Sequence, residues 1–277
     1  MNLRKNLSGR MSYQSFIPPK ISEYEYIGDD AVLSELAGLF AELKTMVGEL
    51  PESEVRELVS MEAYDSWRLS EEKAENSFSL VSAKGNENAE NIVKATLYGA
   101  GALDELPIST RLIRNIHYLI CEGEDYDRKY RGEYRSSPVW IGNAGASIAN
   151  AAFMPPVGED MVAAISDLDN YINYGEANVF IKSAIIHYQF EMIHPFIDGN
   201  GRTGRVLNSL FLLENGAMAA PVLLLSHILS RNYNRYCNEL QRVNETGYIA
   251  GWIRYWLATL MESAKYTLRV VKFSDLG

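Results

Sequence analysis

Apolar residues fall at helical spacing along most of the chain. After Asp29 and Asp30, whose carboxylates suit a helix N-terminus, they recur at Val32, Leu33, Leu36, Leu39, Phe40, Leu43, Met46, Val47 and Leu50, which predicts a helix with one buried face. Pro51 suits the opening of a second helix, carried by Val55, Leu58 and Val59 past Glu62 and Ala63 toward Ser66. The spacing predicts further helices over residues 92–98 and 108–121, the latter with Leu112, Ile113, Ile116, Leu119 and Ile120 on one side. It resumes at Met161, Val162, Ile165, Leu168 and Ile172, and continues through Phe180, Ile181, Ala184, Ile185 and Tyr188 to Ile193. Later helices are expected over 202–213, 226–243 and 249–268.

Two stretches break this texture. The N-terminal residues run into Phe16-Ile-Pro-Pro-Lys20, where two prolines favour an extended arm draped over the body. Between Tyr126 and Pro156 the chain is rich in Gly, Ser, Asn and Pro, with one short β-prone run at Val139, Trp140 and Ile141, and reads as a loop carrying a small hairpin. Nothing alternates strand and helix as a parallel sheet requires, so the fold class is mainly α.

The bulk numbers narrow the function. A chain of 277 residues can bury one large core or two modest ones. A net charge of −10 argues against a nucleic-acid partner or an anionic membrane surface, because both need a basic field. No stretch approaches the ~20 apolar residues of a membrane helix, and the N-terminus lacks the apolar run of a secretory signal. The two cysteines, Cys121 and Cys237, stand in no metal or disulfide spacing and suit a reducing compartment, so a cytoplasmic protein is expected.

The candidate chemistry lies in His194-Pro-Phe-Ile-Asp-Gly-Asn-Gly-Arg-Thr-Gly-Arg205, between two helical patterns. Pro195 forces His194 out of helical geometry, and the glycines let backbone approach a bound group closely. Backbone N–H groups at Gly199, Asn200 and Gly201, leading into a helix with Arg202 and Arg205, make an anion cradle suited to polyphosphate. Gly199, Gly201 and Gly204 also spell the dinucleotide fingerprint, but no strand precedes them, and the segment lacks the lysine of a phosphate-binding P-loop. His194 can take a proton from an attacking hydroxyl and Asp198 can hold a divalent cation against phosphate, the two groups nucleotidyl transfer requires. His187 lies seven positions earlier without a third ligand, so a zinc site is disfavoured and packing is expected.

The twelve residues resemble the signature of the Fic family, HPF, one residue, Asp or Glu, then GNGR, two residues and Arg, matched at every fixed position. The likeness extends to FIPPK, GEYR at 132–135, VWIG at 139–142, FMPP at 153–156, PVLLLS at 221–226 and RYCNEL at 235–240, covering most of the chain. The resemblance implies a helical bundle with a small β-hairpin flap: an N-terminal arm and helical extension over 1–107, then a catalytic core and C-terminal helices over 108–277. It implies transfer of AMP from ATP, with Mg²⁺ or Mn²⁺, to a Ser, Thr or Tyr hydroxyl of a target protein. Removal of AMP, transfer of another phosphorylated group, or nucleotide sensing without chemistry are the alternatives.

By residue, the resemblance gives His194 as base and Asp198 as metal ligand, with Gly199, Asn200, Gly201, Arg202, Thr203, Gly204 and Arg205 around the phosphates. The adenine pocket draws on a tyrosine pair, here Tyr236 and Cys237, and on Asn244; the cysteine departs from the family pattern. Val139, Trp140 and Ile141 of the flap would receive a target segment as an added strand. The inhibitory helix of such proteins carries a glutamate that pairs with the second motif arginine. The matching stretch here has Ser66 in place, but Ser70 stands at the glutamate position and Glu71 at the following small residue, so either Glu71 or Glu72 reaches Arg205 by a register shift or inhibition in cis is weak or lost. A homodimer is left open, and no winged-helix domain, frequent at the C-terminus of such proteins, occurs within these residues.

Overall fold

The computed structural model describes residues 3–8, 11–26, 28–70, 83–123, 130–142, 147–148 and 150–274. Its first element is a hairpin rather than a plain extended arm. Strand β1 (Leu3–Ser8) pairs antiparallel with β2 (Met11–Phe16), Leu3 opposite Phe16 and Asn6 opposite Tyr13. Alternation decides its orientation: Tyr13 and Ser15 are buried, Arg4 pairs with Asp160 at 3.0 Å, and Asn6 donates to Ser15 Oγ at 2.8 Å, while Leu7 on the other face is exposed. This pattern is mostly polar on its inward face, so hydrophobic periodicity did not reveal it. The prolines end the strands, and the segment after them crosses the body, with Gln189 Nε2 donating to Pro19 O at 3.1 Å and Ile21 N–H to Asp167 at 2.8 Å.

The rest is helical among the described residues. Helix α1 (Asp30–Gly48) is capped by the Asp29 carboxylate and buries Leu36, Phe40, Leu43 and Val47, as the spacing predicted. Helices α2 (Glu52–Ser70), α3 (Glu87–Ala102), α4 (Thr110–Ile120) and α5 (Glu159–Tyr174) follow. Two central helices, α6 (Val179–Ile193) and α7 (Asn200–Glu214), pack on each other and are buried on nearly every side, including polar residues. Some of their polar groups bond to neighbours: Asn208 donates to Ser183 O at 3.0 Å, and Trp252 and Trp256 donate to Ala184 O at 2.7 Å and Ser183 Oγ at 3.0 Å. The two tryptophans belong to the long last helix, α10 (Ile249–Ser274). One apolar core runs from Phe16 to Val271.

One expectation is corrected. The single helix over 226–243 is two, α8 (Leu225–Arg231) and α9 (Tyr233–Thr246), broken at Asn232 with φ −148° and ψ 56°. Asn232 leaves helical geometry because its side chain accepts the Arg235 N–H, capping α9. Of the hairpin expected before FMPP, the described residues show one antiparallel bridge between Ile141 and Phe153, with N–H···O distances of 2.9 and 3.0 Å. Residues 143–146 and 149 between them lie outside the described residues. No described helix is long and apolar enough to cross a membrane.

Candidate active site

Helix α6 delivers His194 and stops there. His194 adopts φ 48° and ψ 60°, the only left-handed residue other than glycine among the described residues. That conformation costs an ordinary side chain about 1–2 kcal/mol, so the surroundings must hold it. Arg135 does so: its guanidinium donates to His194 O at 2.7 Å, Ile193 O at 3.2 Å, Pro156 O at 2.6 Å and Ser137 O at 3.2 Å, and its own N–H to Pro195 O at 2.9 Å. The imidazole places Nδ1 at 3.3 Å from Glu191 O, so Nδ1 carries the proton and Nε2 is left as the acceptor. Burial lowers its pKa to about 4, the Arg135 charge acting in the same direction and the Glu191 carbonyl and Asp198 opposing it.

The turn after His194 is fixed from below. The Phe196 ring stacks on His117 of α4, 3.7 Å between centroids and 2° between planes. Nδ1 of His117 accepts the Gly132 N–H at 2.9 Å, which makes Nε2 the donor to Asp198 O, also 2.9 Å. Burial lowers the pKa of His117 to about 4, so it holds these bonds as a neutral ring. The Asn200 side chain clamps Phe196, accepting its N–H at 2.9 Å and donating to its carbonyl at 3.0 Å. Gly199, at φ 72°, leaves no room for more: a Cβ there would come within 2.8 Å of Cys121 Sγ.

Helix α7 then presents its first N–H groups, at Asn200 and Gly201, together with Arg202 and Arg205, at one wall of a cavity of about 530 Å³. His194, Asp198 and Gly199 share that wall. Thr203 and Gly204 do not reach it. The Thr203 hydroxyl donates back to Gly199 O at 2.9 Å, and Gly204 permits close packing of α6 on α7, since a Cβ would meet Glu191 Oε1 at 2.7 Å and Phe190 at 2.9 Å. Arg205 donates to Ser66 Oγ at 2.8 Å, Ser66 O at 2.7 Å and Ser70 Oγ at 3.1 Å. Helix α2 thus meets the arginine with neutral oxygens; Glu71 lies outside the described residues.

The opposite wall comes from α9. Tyr236 is buried, its hydroxyl 2.9 Å from His187 Nε2, and Asn244 accepts the Tyr188 hydroxyl at 2.7 Å. Cys237 lines the cavity between them, its thiol pKa raised by burial. Tyr233 lines it too, a residue that neither periodicity nor motif singles out, because its place depends on the break at Asn232. His187 is fully buried and stacks on Trp256 at 4.3 Å, so it is a packing residue. At the mouth, Trp140 and Ile141 are exposed rather than packed on the core, and Val139 is half-buried beside them.

Among the described residues no group of three or more His, Cys, Asp or Glu could hold a metal ion by itself. The cradle offers one carboxylate, Asp198, whose Oδ1 accepts the Gly199 N–H at 2.6 Å while the side chain is 69% exposed. That set fits a cation bound mainly through the phosphates of a ligand, as Mg²⁺ commonly is, and does not fit a self-contained metal cage.

A helical frame here opens an α-helix N-terminus, two arginines and an acceptor imidazole onto one cavity, an arrangement whose donors and charges suit a phosphorylated ligand. Residues 107–212 match the model of the Fic/DOC family. The chain is 28% identical over 237 residues to a probable protein adenylyltransferase of Aquifex aeolicus (strain VF5), covering 85% of this chain and 61% of that protein. It is 32% identical over 127 residues to the protein adenylyltransferase Fic of Aedes aegypti, covering 45% of this chain and 22% of that one. It therefore spans about three-fifths and one-fifth of these relatives' lengths. The fold is similar to that of a Fic family protein from Desulfovibrio desulfuricans G20, with a TM-score of 0.67, 17% identity and coverage of 89% and 77% of the two chains.

Proposed function

We propose that this protein transfers AMP from ATP to a hydroxyl of a target protein and releases pyrophosphate. The observation that carries the reading is the lone-pair nitrogen of His194, held by Arg135 and the Glu191 carbonyl at the end of a wall of N–H groups and arginines. In this reading Nε2 of His194 takes the proton of the attacking hydroxyl, whose oxygen bonds to the α-phosphorus as the bond to pyrophosphate breaks. The N–H groups of the α7 N-terminus with Arg202 and Arg205 take up the phosphate charge. A divalent cation on Asp198 would add Lewis-acid stabilisation of the phosphates. Tyr236, Cys237 and Asn244, with Tyr233, would enclose the adenine. The target would add as a strand beside Val139, Trp140 and Ile141, consistent with the exposure of the last two.

The neutral contact of Ser66 and Ser70 with Arg205 supports an arginine available to phosphate rather than paired with a carboxylate. The experiment uses ATP labelled in turn on the α- and γ-phosphate, with Mg²⁺ and a lysate of protein targets. Label entering protein from the α position alone, with pyrophosphate released, is expected. Label entering from the γ position, or from neither, contradicts the reading.

A further inference from the structure

Glu191 sits one helical turn before His194, and nothing in the reaction above uses its side chain. Its residue is 8% exposed, it lines the cavity, and its Oε1 has no hydrogen-bond donor among the described residues. Several nearby donor atoms are bonded elsewhere. His187 Nε2, 4.0 Å away, is bonded to the Tyr236 hydroxyl, and Arg205, whose charge acts on the carboxyl, donates to Ser66 and Ser70. Burial accordingly raises the carboxyl pKa to about 7. An unmatched carboxyl oxygen in so enclosed a place is costly unless a ligand group supplies the missing donor.

Its position along the cavity says which group. On one side Oε1 lies against Gly204, in the first turns of the helix that begins the phosphate cradle. On the other, its charge is felt by Tyr233, Tyr236 and Cys237 of α9, the base end. The part of a nucleotide between phosphates and base is the sugar, and buried carboxylates elsewhere accept ribose hydroxyls. We infer that Glu191 accepts a hydrogen bond from a ribose hydroxyl and makes the cavity selective for ribonucleotides over deoxyribonucleotides. The inference rests on the nucleotide reading of the site.

The test is calorimetric titration of ATP, 2′-deoxy-ATP and 3′-deoxy-ATP, each with Mg²⁺, into the full chain and its Glu191→Leu and Glu191→Gln variants, with thermal unfolding to check folding. The parent should bind ATP roughly tenfold or more tighter than at least one deoxy analogue. Glu191→Leu should erase that gap by weakening ATP and leaving the analogue unchanged. Should the leucine variant fail to fold, Glu191→Gln carries the test, with a narrowed gap expected and an unchanged gap overturning the inference. Equal binding of all three nucleotides by the parent, or a Glu191→Leu variant that keeps the gap or weakens all three alike, also overturns it. A parent that binds none of them overturns the AMP-transfer reading, and this inference falls with it.

Discussion

The cavity has two walls of different construction. On the side of α6 and α7, His194 is tied to Arg135 and Glu191, Phe196 to His117 and Asn200, Asp198 to His117 and Gly199, and Arg205 to Ser66 and Ser70. On the flap side, Trp140 and Ile141 are exposed, and the described contact with the returning chain is the single bridge to Phe153. One wall has its dipoles and charges aimed before any ligand arrives, which is how electrostatic catalysis avoids reorganisation at the moment of reaction. The other is joined, among the described residues, by that one bridge. The chemistry is therefore expected to be sensitive to small changes on the first wall, and target choice to changes on the second.

The sharpest way to break this contrast is His194→Ala, which should cut α-phosphate transfer by about 10²- to 10⁴-fold while calorimetry still shows ATP binding. Next, Arg135→Lys keeps the charge but loses the planar fork that holds the carbonyls at Ile193, His194 and Pro156. A loss on the order of 10²-fold in turnover with little change in nucleotide affinity is expected, since His194 would be misplaced rather than removed. Ser70→Glu puts a carboxylate against Arg205 and should lower activity roughly tenfold, read as weaker productive ATP binding; unchanged activity would mean that Arg205 has no part in placing the phosphates. On the flap, Trp140→Ala should raise the KM for target protein several-fold and leave ATP affinity alone. An equal loss of ATP affinity would erase the distinction between the walls.

The smallest effect concerns pH. His117, His187 and His194 are all held neutral by burial, with pKa values of about 4, 3 and 4 against 6.5 for a free ring. Depressed folded-state values mean that the unfolded chain takes up protons the folded one refuses. The stabilisation is complete above about pH 6.5 and is lost as pH falls toward 4. The thermal midpoint should fall between pH 7 and pH 5, and less steeply in His187→Phe than in the parent.

Much of the frame was legible because it is local. The α1 face, the helix boundaries around the motif and the twelve residues from His194 to Arg205 each declare themselves within a turn or two of chain. What escaped comes from far away in sequence or from polar patterning. Arg135 and His117 reach the motif from 59 and 81 positions off, through hydrogen bonds that no periodicity encodes. The hairpin β1–β2 turns Arg4, Asn6, Tyr13 and Ser15 inward, a face with little apolar signal, and Asn232 split one helical pattern through its own side chain. Thr203 and Gly204 belong to the motif by sequence, but their places on α7 direct them to the Gly199 carbonyl and the α6 interface.

The central claim, that the bend between α6 and α7 gathers His194, Asp198 and Arg205 about one triphosphate, is tested most directly by a crystal structure of His194→Ala grown with ATP and Mg²⁺. The account predicts density for the phosphates against the N–H groups of Asn200 and Gly201, with the base between Tyr236 and Asn244. Nucleotide bound elsewhere, or an empty cavity at saturating ATP, would contradict it.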